Sequence, residues 1–244
     1  MKALWHAARG IIDRRILLNY RVSPERARWL LPSRFRPVRV DGWAIAGICL
    51  IRLKQLRPRG LPAFCGLASE NAALRVAVEW DEREGVRQGV FILRRETSSR
   101  VEAVLGGRIF PGIHQRAGFR IEETEDRFGL SLRSGDGLAD LEVLARRTPT
   151  SPRGSVFQSL TEASHFFERG STGYSPVPGG KDWEGLNLKT ERWEVEPLEV
   201  KLLKSSFFDD ADRFPSGTIQ FDCALLMRQI NHEWQVLPRL EENR

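Results

Sequence analysis

Runs in which apolar side chains fall at every second position recur along this chain, and they restrict its architecture more than any other feature. "ALRVAVEW" (73–80) and "GVFILRR" (89–95) flank "DEREG" and read as the two strands of a hairpin. "RIEETEDRFGLSLR" and "DGLADLEVLARR" show the alternation of strands with one face in water. "GWAIAGICLIRL" (42–53) is almost continuously apolar and long enough to cross a sheet. "LKTERWEVEPLEVKLL" predicts two strands meeting near Pro197, and "GTIQFDCALLMRQI" and "EWQVLPRL" predict two more that close the chain. Helices are few. Ser23 and Pro24 open a short one that ends at Pro32. Ser159 and Glu162 form a capping box at the start of another, with Gly170 at its end. "SSFFDDADRF" predicts a short helix or turn. Strands and helices do not alternate regularly, which argues against a doubly wound parallel sheet. Antiparallel strands in such number avoid exposed edges by closing on themselves, and a barrel of that kind can hold one small ligand. The expected fold is mostly β with a few short helices, in a single domain over residues 1–244, because no repeat or linker divides the chain.

The chain has 244 residues, 41% of them hydrophobic, which is enough for a sizeable core. The formal charge is +6, but only six of the 38 basic residues are lysine, and the arginines are interleaved with acids, as in "EWDEREGVR". A nucleic-acid surface would show a basic stripe or run, so no nucleic-acid partner is expected. Cys49, Cys65 and Cys223 are odd in number, have no metal-ligand spacing and sit in apolar stretches, so all three are expected to be buried free thiols in a reducing cytoplasm. His6 and Arg9 interrupt the apolar part of the N-terminal stretch, so no signal peptide is expected. No window approaches the roughly 18 apolar residues of a membrane span. The expected location is cytoplasmic, with no membrane partner.

A family resemblance rests on specific words in the chain. "RRETSSRVEAVLGGRIFPG", "SENAALRVAVEW", "GSVFQSLTEASHFFERGSTGYS", "RWEVEPLEV", "SSFFDD" and "ALLMRQINHEW" resemble the uncharacterised DUF2071 family over most of the sequence. That family is grouped with the acetoacetate decarboxylase-like proteins. "NYRVSPERARWLLPSRF" is similar to the decarboxylase pattern of a strand ending in Tyr-Arg, a turn, and a helix leading to proline. The resemblance implies a cone-shaped antiparallel β-barrel, with sheet around it and a pocket inside. The decarboxylases use a lysine Schiff base, with a second lysine lowering the pKa of the reactive amine. Here Gly107-Arg108 and Phe110-Pro111 match the frame around that lysine pair, but Gly112 and Ile113 follow, and no lysine lies between Lys54 and Lys181. A second register puts Glu102 and Ala103 there, again without an amine. Schiff-base chemistry is therefore not expected. No cofactor is expected either, and His6, His114, His165 and His232 have no metal-like spacing. The resemblance also implies a pocket glutamate at Glu70 and a looser arginine counterpart at Arg14.

Several further residues are candidates for a site. Glu70 and Asn71 precede a strand; they serve either as pocket groups or as a solvated turn. If desolvated, Glu70 would be a usable acid or base. Arg95 shares an alternation face with Phe91 and Leu93, which points it inward, with Glu70 or Glu96 as the partner a buried arginine needs. Ser98 belongs to the same donor-rich run, while Ser99 with Glu102 has the spacing of a helix cap. Arg108 and His114 flank the Phe-Pro-Gly turn, and His114 is read as either a general base or a surface histidine. Tyr174, between mobile-looking glycines, is read as a pocket lid or a packed aromatic. His165 is expected on an exposed helix face. Asp209, Asp210 and Asp212 suit a helix start or turn better than a metal. The expected function is binding of a small carboxylate- or carbonyl-containing metabolite, with lyase- or hydratase-type acid–base chemistry carried by Glu70, Arg108 and His114. Arg14, Asn71, Arg95, Ser98 and Tyr174 are the expected ligand contacts. The alternative is a non-enzymatic ligand-binding or interaction module on the same fold. A homo-oligomer stays open.

Overall fold

The computed structural model describes residues 7–105, 112–150, 154–177 and 179–242. In chain order the elements are β1 (Ala7–Val22), α1 (Pro24–Trp29), β2 (Arg36–Pro37), β3 (Arg39–Val40), β4 (Trp43–Pro58), β5 (Leu67–Glu82), β6 (Gly85–Thr97), α2 (Arg100–Leu105), β7 (His114–Glu123), β8 (Arg127–Ser134), β9 (Leu141–Arg147), α3 (Leu160–Arg169), β10 (Thr172–Pro176), β11 (Trp183–Thr190), β12 (Glu196–Ser205) and β13 (Ile219–Leu240). All strands belong to one sheet.

The sheet closes on itself by two routes. β13 pairs along β1, and in addition takes β12 at Ala224–Leu226 and β11 at His232–Leu240. β6 likewise pairs with β5, and takes β10 at Val90–Phe91 and β7 at Arg95–Thr97. One ring therefore runs β1-β4-β5-β6-β10-β11-β13, and the other runs β1-β4-β5-β6-β7-β8-β9-β12-β13. The shared strands are long and apolar on both faces, because each face lines a different interior. Ile16, Leu18 and Tyr20 of β1 pack with Phe128, Leu130 and Val143 of β8 and β9. Ile12 and Leu17 pack with Cys49, Leu225 and Met227, and α3 covers this face through Ala163 and Phe167. Such continuous apolar runs are what burial on two faces requires.

Local signals behave as their chemistry demands. Ser23 Oγ accepts from Arg26 N at 3.4 Å, with Pro24 opening α1. Ser159 Oγ accepts from Glu162 N at 3.1 Å, while the Glu162 carboxylate reaches back to Gln158 N at 2.7 Å. Details depart from the sequence reading in three places. β6 runs parallel to both β7 and β10, so the sheet is mixed; the crossover through α2 is long enough to allow this. The two closing strands are one strand, β13, in which Gln229 takes φ 52° and bends the chain without ending its pairing with β1. The break between β11 and β12 falls at 191–195, and Pro197 itself pairs with Leu225. The segment 206–214 takes the turn alternative of the sequence reading, held by Asp209 accepting from Ser205 N at 2.7 Å and Asp210 from Asp212 N at 3.0 Å.

Candidate functional site: two arginine groups on opposite faces

Adjacent residues of a strand point to opposite faces, and β1 places Arg14 and Arg15 in different interiors. Arg14 is fully buried. Its Nη1 meets Glu123 Oε2 at 2.5 Å and its Nη2 meets Glu70 Oε2 at 2.5 Å. Arg52 binds the same two carboxylates from the other side. Asp13 extends the cluster to Lys54 at 2.8 Å, to Arg52 at 3.4 Å and to Gln229 at 2.6 Å. Burial would raise the Asp13 and Glu123 carboxyls, but Lys54 and Gln229 hold Asp13, and Arg14 and Arg52 hold Glu123, below the usual carboxylate range. Three cations face three carboxylates, so the cluster balances its own charge.

Arg15, Arg75 and Arg95 stand on the other face, around a cavity of about 140 Å³. Its remaining wall is mostly apolar, with Ile51, Leu53, Ile92, Leu188 and Trp234; Gly170 and Ser171 close the side next to α3. Arg75 Nη2 donates to Asn19 Oδ1 at 2.6 Å, and its guanidinium lies 5.0 Å from the Phe167 ring centre, yet its Nε has no hydrogen-bond partner among the described residues. Arg95 Nη1 donates to Ser175 Oγ. Arg15 Nε donates to Cys49 Sγ at 3.4 Å, and its guanidinium lies 5.3 Å from the Trp193 ring. Among the described residues none of the three forms an ion pair. Glu184, the acid whose charge acts on Arg95, is engaged by Arg239 at 2.5 Å and by Gly112 N at 3.3 Å. Glu96 also borders the cavity, but its carboxylate takes Arg94 Nε. Burial pushes Arg75 and Arg95 down to about 10, which leaves both charged at neutral pH.

The residues singled out from the sequence divide between these places. Arg95, Asn71 and His114 line the cavity. Arg95 is there for a different reason from the one expected. Phe91 and Leu93 face the other interior, and an irregularity opposite Leu74/Arg75 rephases β6 so that Arg95 joins Val90 and Ile92 on the cavity wall. Its partner is Ser175, not Glu70 or Glu96. Glu70 and Arg14 lie in the balanced cluster and do not line the cavity. Ser98 is tied to Glu70: its Oγ accepts from Glu70 N at 2.9 Å. Tyr174 is not a lid. It packs inside against Trp80, with ring centres 5.3 Å apart, and burial raises its hydroxyl to about 12. Arg108 lies outside the described residues. His165 is exposed on α3. No group of His, Cys, Asp and Glu among the described residues has the arrangement of a metal site. Arg75 and Arg15 were missed; the available signal was a lone arginine inside the apolar run "ALRVAVEW" and a second arginine beside Arg14.

The lysine frame has a structural counterpart. Gly112 has φ +81°, and a Cβ built there would stand 2.7 Å from Arg95 Nη1 and 3.0 Å from Ser175 Cβ. The arginine thus occupies the room a side chain at 112 would need. No lysine lines the cavity among the described residues, and Lys54 is held by Asp13.

A family model for DUF2071, an uncharacterized conserved protein, matches residues 12–216. The chain belongs to the DUF2071 family. A search of curated proteins gives no match. Solved structures place this DUF2071 chain in the acetoacetate decarboxylase-like fold. It is similar to acetoacetate decarboxylase from Legionella pneumophila with a TM-score of 0.59 and 13% identity, over 95% of this chain and 87% of that one. An acetoacetate decarboxylase-like enzyme from Sphingomonas wittichii gives 0.61 and 14%, over 97% and 94%. The enduracididine biosynthesis enzyme MppR, solved with pyruvate, gives 0.61 and 10%, over 97% and 90%. Identities this low speak for the fold alone. No helix among the described residues is long and apolar enough to cross a membrane.

Proposed function

We propose that the cavity behind α3 binds a small carboxylate that also carries a carbonyl group, of which the 2-oxo acids are the simplest class. One observation carries this reading: Arg15, Arg75 and Arg95 converge on one cavity with no carboxylate paired to any of them among the described residues. A buried cation without a counter-ion is costly, and a bound anion removes that cost. The guanidinium fork matches the planar carboxylate, and the apolar remainder of the wall suits a short carbon skeleton. A volume of about 140 Å³ admits a ligand of only a few heavy atoms. Pyruvate bound to MppR, a protein of the same fold, belongs to this class.

The chemistry follows from the same wall. Guanidinium groups beside a carbonyl stabilise negative charge that develops on its oxygen. His114 supplies the group for proton transfer next to it. Lyase- or hydratase-type conversion of the carbonyl acid is the reaction class that fits, without a lysine. Calorimetric titration with pyruvate, acetoacetate, acetate and the uncharged methyl ester of pyruvate tests the reading. Saturable binding of the carbonyl acids and none of the ester is expected; equal behaviour of acid and ester would refute it. Turnover of a bound acid, followed by proton NMR, separates an enzyme from a binding module.

A further inference from the structure

Cys49 shares the cavity with the three arginines. It stands on β4 and lines the wall, and Arg15 Nε donates to its sulfur at 3.4 Å. Arg75 and Arg95 lie near enough to interact with it electrostatically. The other thiols are placed differently. Cys65 is exposed, whereas Cys223 is buried and accepts from Asn19 Nδ2 at 3.5 Å. A second, independent feature of this wall suits a ligand: Arg75 lines it and is only 4% exposed, yet its Nε has no hydrogen-bond partner among the described residues.

We infer that Cys49 is a nucleophile that captures the carbonyl carbon of the bound 2-oxo acid as a reversible thiohemiketal. The inference rests on the carboxylate reading of the cavity. In a 2-oxo acid the carboxylate and the carbonyl carbon are directly bonded, so one short molecule can meet both an arginine fork and a thiol on the same wall. The Cys49 sulfur forms a bond to the carbonyl carbon, the C=O π bond breaks, and the thiol proton ends on the former carbonyl oxygen. No oxidant or further reactant enters, and reversal releases the acid unchanged. Arg15, already against the sulfur, stands where the developing oxyanion needs a donor. The adduct tethers the acid on the wall it shares with His114, and its reversal restores the carbonyl that any acid–base chemistry at the neighbouring bonds requires.

The test compares an anionic electrophile with a neutral one. The protein is treated with 3-bromopyruvate or with iodoacetamide, and each labelled cysteine is quantified by peptide mass spectrometry. Bromopyruvate is expected to modify Cys49 at least about tenfold faster than the exposed Cys65, because the cavity concentrates the anion beside the thiol. Iodoacetamide should reverse that order. Pyruvate should protect Cys49, and R75Q/R95Q should abolish the preference. Titration with [2-13C]pyruvate should give a tetrahedral-carbon resonance, distinct from the free hydrate, that Cys49→Ala removes. Calorimetric binding of pyruvate with Cys49 unlabelled, or without that resonance, would overturn the nucleophile and leave the carboxylate site standing. No pyruvate binding, with label on Cys65 alone, would overturn both.

Discussion

The two arginine groups of this protein share β1, β4 and β5 and differ in what faces them. On one face Arg14 and Arg52 are clamped by Glu70 and Glu123, and Lys54 by Asp13. On the other, Arg15, Arg75 and Arg95 have amide, hydroxyl, sulfur and aromatic neighbours and, among the described residues, no carboxylate of their own. The same residue type, at adjacent positions of β1, therefore meets two different surroundings. A balanced cluster ties β7 to β1, β4 and β5 and has no charge left for a ligand. The other group has no carboxylate partner among the described residues, and on the reading proposed above a bound anion supplies it. Partnering, rather than burial, distinguishes the two.

The difference can be broken from either side. Arg14→Leu removes the fully buried centre of the balanced cluster and leaves Glu70 and Glu123 to Arg52 alone. It should cost about 3–5 kcal/mol, seen as a fall in Tm of roughly 10 °C, with pyruvate affinity in the folded protein unchanged. A loss of affinity without loss of stability would reverse the assignment of the two faces.

pH separates the faces as well. His232 is buried beside Trp234 of the cavity wall; burial, aided by the Arg15 charge, pushes it down to about 4. Its folded pKa lies below the unfolded value near 6.5, so between those values the unfolded chain takes up a proton that the fold refuses. Stability is then complete above about pH 6.5 and falls by roughly 3 kcal/mol as pH drops toward 4. The balanced cluster titrates lower. Asp13 and Glu123 are lowered, so their contribution is present above the ordinary carboxylate pKa and is lost only as pH falls through their folded values. Urea denaturation across pH should show both windows, and His232→Phe should flatten the upper one alone.

Arg75→Gln with Arg95→Gln should weaken pyruvate binding about 100-fold, equivalent to roughly 2–3 kcal/mol, as expected for lost charge-assisted hydrogen bonds. Unlike Arg14→Leu, it should leave Tm unchanged or higher, because it removes buried charge without a counter-ion. The smallest effect is expected from Phe167→Leu. Loss of the ring under Arg75 should cost about 1 kcal/mol of stability and change affinity severalfold by calorimetry, with the balanced cluster unaffected.

Much of the fold was legible because strand periodicity and caps are local. The hairpin at 83–84, the Ser159 cap and the two-faced apolar run of β4 follow from neighbours in sequence. The candidate site was less legible, because the face a residue meets depends on irregularities that pattern does not reveal. Arg95 reaches the cavity only through the rephasing of β6. Glu70 was placed in a pocket by resemblance, yet its fate was decided by Arg14, Arg52 and Glu123, the last 53 residues away in sequence. Arg75 looked like one of many arginines until its lack of a carboxylate could be seen.

Among the described residues, one arginine group lacks counter-ions and the other is fully paired. A crystal soaked in sodium bromide reads this difference, because anomalous scattering locates a bound anion without assuming the ligand. A bromide peak is expected in the cavity within hydrogen-bonding reach of Arg75 or Arg95, and none at Arg14 or Arg52. A peak at the Arg14 cluster, or an empty cavity with bromide only on the outer surface, would contradict it.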